Sequence, residues 1–314
     1  MIKCIGCGAV LQNNYENEEG FTTDLNYSYC KRCFEIKHYN KYIKVPFKNY
    51  NKVISEIDLK NDLILLVSDF LNLYNLENIN FKSPTLLVVT KADLIPRNVN
   101  NLLDKIKISV LDKVIVSSKN NFNFDLLYSK IIKYKKSKNV YVVGYTNVGK
   151  STLINKISKN YGKEEGKITV SNLPSTTVDL INIKINDELN LIDTPGLLDA
   201  GSLMLKVDKK VLNKIIPKME IRPLVYQIKC TQSLLIEDFA EIKFLSQTNI
   251  VIYMSNGLKF QRIYKDSKNN FNKYNLNIKK NQRLIIKGLG FIEFKKDSNI
   301  ILELIADVGY LISD

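Results

Sequence analysis

The sequence predicts an α/β layer domain with its strands in permuted order, set between a cysteine-anchored module and a small C-terminal α+β domain. Three observations carry that prediction. From about residue 46 to 200, short apolar runs alternate with helical stretches, the pattern of a sheet covered by helices. Gly144-Tyr145-Thr146-Asn147-Val148-Gly149-Lys150-Ser151-Thr152 fits the phosphate-cradling pattern G-x-x-x-x-G-K-[ST]. Thr90-Lys91-Ala92-Asp93, a candidate guanine reader, stands upstream of that loop, while Asp193-Thr194-Pro195-Gly196, a candidate γ-phosphate sensor, stands downstream. An ordinary G domain runs phosphate loop, sensor, base reader. Here the order is base reader, phosphate loop, sensor, as circular permutation of a G domain produces.

Residues 1–45 hold few large aliphatic side chains, so this module needs a staple to fold. Two C-x-x-C pairs supply one: Cys4 with Cys7, and Cys30 with Cys33. Four thiolates on two closed turns make the tetrahedral shell that suits a structural Zn²⁺. Gly6 and Gly8 fit the turns, and Lys31 and Arg32 offset the thiolate charge. Unligated core cysteines and an iron–sulfur site are the competing readings. Paired cysteines without a secretory signal point to metal in a reducing compartment rather than disulfides. Cys4 lies too near the first residue for a signal peptide to precede it. His38, the sole histidine, reads as a surface or packing residue, which leaves no candidate for histidine base catalysis. Cys230 reads as a partly buried structural thiol.

Within residues 46–200, apolar runs predict strands over 63–68, 85–90 and 114–117, then a helix over 124–136. A strand over 139–143 leads into the phosphate loop, and a helix over 150–158 turns its N-terminus toward phosphate. Strands over 180–185 and 188–192 flank an Asn186-Asp187 turn, the second delivering Asp193. In residues 201–314, an amphipathic helix over 206–216 is stopped by Pro217. Strands follow over 224–229, 250–254, 283–287, 290–294 and 300–305, while 269–280 reads as a mobile basic loop. No internal repeat stands out.

The nucleotide roles follow from the residue types. The glycines of the loop let backbone amides surround the β-phosphate; Lys150 bridges β- and γ-oxygens, and the Ser151 hydroxyl ligates Mg²⁺. Asp93 accepts from guanine N1–H and the 2-amino group, a donor pair adenine lacks, with the Lys91 stem along the base. Thr90 stands where the commonest sequence has Asn. Ser117-Ser118-Lys119 is a second base-contacting loop. Asp193 holds Mg²⁺ through water, and the Gly196 amide meets the γ-phosphate. Pro174-Ser175-Thr176-Thr177 is the candidate first switch, with Thr177 the preferred metal contact and Thr176 the alternate. Leu197 fills the place where many GTPases carry a water-orienting glutamine, so slow intrinsic turnover is expected.

Lysine and arginine exceed the acids by 46 − 32 = 14, and 19 − 12 = 7 of that excess falls in residues 199–314. Such an excess favours a polyanionic partner. The competing reading is an Asn-, Lys- and Ile-rich composition with indifferent solvated lysines. No run approaches the ~18 apolar residues of a membrane span.

Together these residues resemble the YqeH family of circularly permuted ribosome-assembly GTPases, over nearly the whole chain. The resemblance rests on the cysteine knuckles ahead of T-K-x-D, then G-x-x-N-x-G-K-S and D-T-P-G. It implies GTP hydrolysis, a part in small-subunit maturation, and binding to ribosomal RNA or assembling particles. It also implies K⁺ beside the phosphates, with Asn147 as a ligand, and a hydrophobic residue in place of the catalytic glutamine. The sequence departs from the family at Ser175, where P-G-T-T has glycine. It departs again at residues 236–241, where acidic residues replace a glycine pair before L-A-R, so RNA contact is expected elsewhere on the basic domain or the cysteine module. The resulting expectation is a cytoplasmic GTPase, monomeric off the ribosome, with Lys150, Thr177, Asp193, Gly196 and Asn147 as its catalytic set. The alternative is a GTP-gated RNA-binding scaffold with negligible turnover. A metabolic P-loop enzyme is a third reading, for which no second-substrate motif is evident.

Overall fold

The computed structural model describes residues 50–76, 79–97, 99, 106, 108–162, 169–172, 180–194, 196, 197, 199, 201–264 and 270–313, with 2, 4, 9–16, 20–31 and 34. Helix α1 (Tyr50–Asp58) leads into strands β1 (Leu63–Asp69), β2 (Thr85–Thr90) and β3 (Asp112–Ile115). Helix α2 (Phe124–Tyr134), β4 (Asn139–Gly144), helix α3 (Lys150–Tyr161), β5 (Thr169–Asn172), β6 (Ile181–Lys184) and β7 (Asn190–Asp193) follow. They form a seven-stranded sheet in the order β3-β2-β1-β4-β7-β6-β5. β1 to β4 and β7 run parallel, while β6 pairs antiparallel with both of its neighbours, β7 and β5. β1 and β2 are buried throughout, as near-continuous apolar strands in a parallel sheet should be. Leu65, Val88 and Val142 pack with Leu127 and Ile131 of α2 and with Leu153 and Ile157 of α3. The register sets Asp69 beside Thr90, Val67 beside Gly144, and Val142 beside Asp193. The base reader, phosphate loop and sensor thus share the carboxyl end of the sheet, where open α/β sheets bind ligands. β3 begins two residues earlier than expected, and α3 runs on to Tyr161.

The C-terminal region differs from the expected α+β domain. Helix α4 (Lys209–Ile215) is its only helix of more than a single turn after residue 199 among the described residues, and Asp208 caps it by accepting from Val211 N–H at 2.8 Å. Ten strands follow: β8 (Leu224–Ile228), β9 (Ser233–Ile236), β10 (Ala240–Phe244), β11 (Thr248–Met254), β12 (Phe260–Ile263), β13 (Asn272–Ile278), β14 (Arg283–Ile286), β15 (Gly290–Phe294), β16 (Ser298–Leu304) and β17 (Tyr310–Ser313). They make two antiparallel sheets, β12-β9-β10-β16-β13 and β17-β14-β15-β11-β8. Strand β13 replaces the expected loop. Its sequence Asn-Lys-Tyr-Asn-Leu-Asn-Ile has the composition of a loop but the period of a strand, with Tyr274, Leu276 and Ile278 on the core side.

The strands also disclose a repeat that the composition conceals. Residues 224–263 and 274–313 align without a gap at a constant offset, 278 − 228 = 50. Ile228/Ile278, Gln232/Gln282, Leu234/Leu284, Ile236/Ile286, Ile242/Ile292, Phe244/Phe294 and Ile250/Ile300 are identical pairs. The bonding repeats as well. Lys229 N–H donates to Gln232 Oε1 at 3.0 Å, and Lys279 N–H to Gln282 Oε1 at 2.8 Å. Thr231 N–H donates to Phe244 O at 3.0 Å, and Asn281 N–H to Phe294 O at 2.7 Å. Each sheet takes three strands from one repeat and two from the other, so the halves are intertwined.

The chain divides into two compact units. One comprises Met1–Asp69, Glu77–Ala92 and Leu103–Leu198; the other comprises Phe70–Leu76, Asp93–Leu102 and Asp199–Asp314. Short segments from within the nucleotide-binding half of the sequence therefore belong with the β-sheet unit. Leu94 O accepts from Ile221 N–H at 3.0 Å, and the Arg97 guanidinium meets Glu220 at 3.2 Å.

Candidate nucleotide-binding site

β4 must approach β1 closely before turning into the phosphate loop, and only glycine permits it. A Cβ on Gly144 would lie 2.2 Å from Val67 O. Beyond it, Asn147 (φ 65°) and Gly149 (φ 95°) take left-handed backbone, turning the chain so that α3 starts at Lys150. Ser151 is half-buried and Thr152 exposed in the first helical turn, where free N–H groups favour an anion.

The base reader is tied into this loop. The Thr90 hydroxyl shares its proton between Ser68 O, at 3.1 Å, and Val148 O. Thr90 thereby fastens β2 to β1 and to the phosphate loop, which makes its departure from Asn tolerable. Lys91 has φ 57°; its ammonium donates to Asn147 O at 2.6 Å and to Asp69 Oδ2 at 2.5 Å. Asp69 was not among the expected residues; the strand pairing, not the sequence, sets it beside Thr90. Ala92 N–H donates to Val116 O at 3.0 Å, bringing the reader beside the Ser117 loop. Ser117 is buried, and its backbone pairs with Phe122, so Ser118 and Lys119 ride a closed turn. Asp93 lies in the 3-10 turn Ala92–Leu94.

The sensor strand is laced to the loop from the other side. Leu197 N–H donates to Gly144 O at 3.0 Å, and Thr146 N–H donates to Leu197 O at 2.9 Å. Thr194 is held through its hydroxyl to Val142 O at 2.9 Å. The Lys150 ammonium donates to Thr194 O and lies 3.5 Å from Asp193 Oδ1. Leu197 itself is 1% exposed, so its side chain is packed away rather than presented to solvent.

Asp193 fits a magnesium-holding role. It is 1% exposed, and its Oδ1 accepts no hydrogen bond among the described residues, facing the Lys150 ammonium at 3.5 Å, so a buried carboxylate oxygen is left for a bound cation to share. The first-switch candidates Pro174, Ser175, Thr176 and Thr177 lie outside the described residues. So do Cys7, Cys33 and His38. Cys4 and Cys30 are both 2% exposed, and Cys30 N–H donates to Cys4 Sγ at 3.2 Å, the contact a thiolate ligand favours. Cys230 is exposed rather than partly buried, at the turn after β8 where its Sγ reaches Leu245 O at 3.2 Å.

The sequence matches the family described as 50S ribosome-binding GTPase over residues 139–286, and that described as RsgA GTPase over residues 56–202. With the laced phosphate loop, this defines a P-loop GTPase, an enzyme that hydrolyses GTP. The chain is 30% identical to YqeH of Bacillus subtilis (strain 168) over 283 residues, covering 83% of this chain and 77% of that protein. It belongs to the YqeH family of circularly permuted GTPases. More distant relatives include the NO-associated protein 1, chloroplastic/mitochondrial, of Arabidopsis thaliana. That protein is 27% identical over 242 residues, which are 62% of this chain and 43% of the relative. The GTP-binding protein MJ1464 of Methanocaldococcus jannaschii is 32% identical over 204 residues, 58% of this chain and 51% of its own.

Proposed function

We propose that this GTPase acts in ribosome assembly, holding the small ribosomal subunit or its precursor in the GTP state and releasing it after hydrolysis. One observation carries the reading: the chain just beyond the γ-phosphate sensor is fastened to a basic β-sheet unit. Lys287 Nζ meets Asp199 Oδ1 at 2.7 Å, Leu203 N–H donates to Lys287 O at 2.9 Å, and Gly309 N–H donates to Gly201 O at 2.9 Å. Gly196 stands three residues before Asp199, so drawing its amide to a γ-phosphate pulls directly on that attachment. Residues 201–314 are the RNA- or ribosome-binding domain in this reading, 46–200 the GTPase domain and 1–45 the zinc module.

Chemistry is positioning and charge stabilisation. Lys150 leaves Thr194 O to bridge the β- and γ-oxygens, and successive backbone amides of the phosphate loop enclose the β-phosphate. Ser151, Thr177 and Asp193 hold Mg²⁺, which when bound neutralises charge on the phosphates. Thr176 is the alternate to Thr177 in that role. Asn147 helps hold K⁺. Lys91, Asp93 and the Ser117–Lys119 loop read guanine. Cys4, Cys7, Cys30 and Cys33 hold Zn²⁺, which fits two buried thiols already brought together. Ribosomal RNA supplies the phosphates that an excess of seven positive charges after residue 198 would meet. The enzyme is a cytoplasmic monomer off the ribosome in this reading.

Sedimentation with purified small and large subunits tests it. Tighter, salt-sensitive association with the small subunit is expected with a non-hydrolysable GTP analogue than with GDP. Equal weak binding to both subunits in every nucleotide state would leave the charge a solvated surface. Selective binding to the large subunit would follow the matched family's description instead.

A further inference from the structure

We propose that Asp69 is a positioning residue of guanine recognition, and that the anchoring of its chain neighbour Phe70 in an aromatic socket of the β-sheet unit tunes it. The inference rests on reading T-K-A-D as the base reader.

Asp69 acts through Lys91. The two stand at the same end of neighbouring strands because Asp69 pairs with Thr90. The Lys91 ammonium is held at two points, Asp69 Oδ2 at 2.5 Å and Asn147 O at 2.6 Å. The carboxylate side is 9% exposed and the lysine 26%, so water competes weakly for this ion pair. A Cβ on Gly149 would come 3.9 Å from Lys91 Cε, so the fixed stem lies over the phosphate loop. Asn147 O alone would leave the ammonium free to swing about one hydrogen bond.

The next residue belongs to the other unit. The Phe70 ring sits edge-on to Tyr253 at 5.9 Å and to Phe291 at 5.5 Å, and is 7% exposed. Tyr253 and Phe291 are cross-strand partners in β11 and β15, stacked at 4.7 Å. The internal repeat shows that this socket is particular to its place. The equivalents of Tyr253 and Phe291 across the offset of 50 are Glu303 and Glu241, themselves cross-strand partners in the other sheet. The repeats have therefore diverged from each other where Phe70 docks. Adjacent Cα atoms are about 3.8 Å apart, so a shift of the socket is felt at once by Asp69.

This coupling acts at the base end of the nucleotide and treats GDP and GTP alike, unlike the attachment beyond Gly196. Linkage then requires that anything binding the β-sheet unit and displacing the Tyr253–Phe291 pair changes guanine-nucleotide release.

Dissociation of fluorescent GDP and of a fluorescent non-hydrolysable GTP analogue from the full chain tests the proposal. Asp69→Asn should speed release of both about tenfold, as loss of one charge-assisted hydrogen bond would, and raise KM for GTP by more than it lowers kcat. Tyr253→Leu should speed both about threefold, and still reads the proposal if Asp69→Asn does not fold. The double variant should release no faster than Asp69→Asn alone, because the socket acts through Asp69. Unchanged release in Asp69→Asn, a fall in kcat at unchanged release, or additive effects in the double variant would overturn it. Asp93→Asn is the control. A switch to xanthosine nucleotides keeps the base-reader assignment standing whatever the other variants do, and retained guanine preference would sink that assignment itself.

Discussion

At Leu197 the side chain is buried and both backbone groups pair with the phosphate loop, so this residue cannot orient an attacking water. Charge building on the departing phosphoryl group then has to be met by cations. Asn147, held in left-handed backbone one residue before Val148, is the side chain proposed to bring K⁺ there. Single-turnover hydrolysis should be strongly faster in K⁺ than in Na⁺, with Asn147→Ala erasing most of the difference; equal rates in matched buffers would reject the ion. Leu197→Ala should cost about 2–5 kcal/mol of stability yet alter the rate per folded molecule only modestly. At this scale the sequence was legible where a motif dictates backbone, as at Gly144, Gly149 and Lys150. It was less legible where a residue matters through a partner distant in sequence. Asp69 lies 22 residues from Lys91, and no local pattern joins them. Cys230 was misjudged because an isolated thiol in a short apolar setting gives no sign that it falls at a turn.

Among the elements, the parallel strands were readable because both faces are buried and their sequences are nearly pure aliphatic. The later strands were harder. Edge strand β13 buries one face and exposes the other, so it spends alternate positions on Asn and Lys. The repeat was hidden for the same reason: its identities fall mainly on core positions such as Leu234, Ile242 and Phe244, while surface positions diverge freely. The cysteine module is the element for which a bound metal is proposed as the staple. Among its described residues the buried hydrophobic core consists of Cys4, Leu11 and Cys30. Freshly purified protein should contain one Zn²⁺ per chain by elemental analysis, and Cys30→Ser should unfold this module while sparing nucleotide affinity. Absence of zinc from unchelated protein would contradict the assignment.

For the whole molecule, the domain boundary drawn along the sequence is not a boundary in space. Phe70–Leu76 and Asp93–Leu102 belong to the unit completed by residues 199–314. Removing everything from residue 199 onward should therefore abolish nucleotide-dependent ribosome binding and also weaken GTP and GDP affinity, since Phe70 and Leu94 lose Phe291 and Ile221. Titration of the truncated chain with fluorescent GDP checks this, and full affinity in the fragment would refute it. The interleaved sheets carry a consequence in time. Strand β10 lies between β9 and β16, and β15 between β14 and β11, so neither sheet can be finished from one repeat. During synthesis, the nucleotide-binding half emerges long before β16 exists. A chain interrupted before residue 291 is left with incomplete sheets and without the Phe291 ring that helps seat Phe70. The intertwining thus works as a completeness check: an unfinished copy should be poor at holding guanine nucleotide, and so should not engage a ribosomal particle as a defective competitor of the finished enzyme.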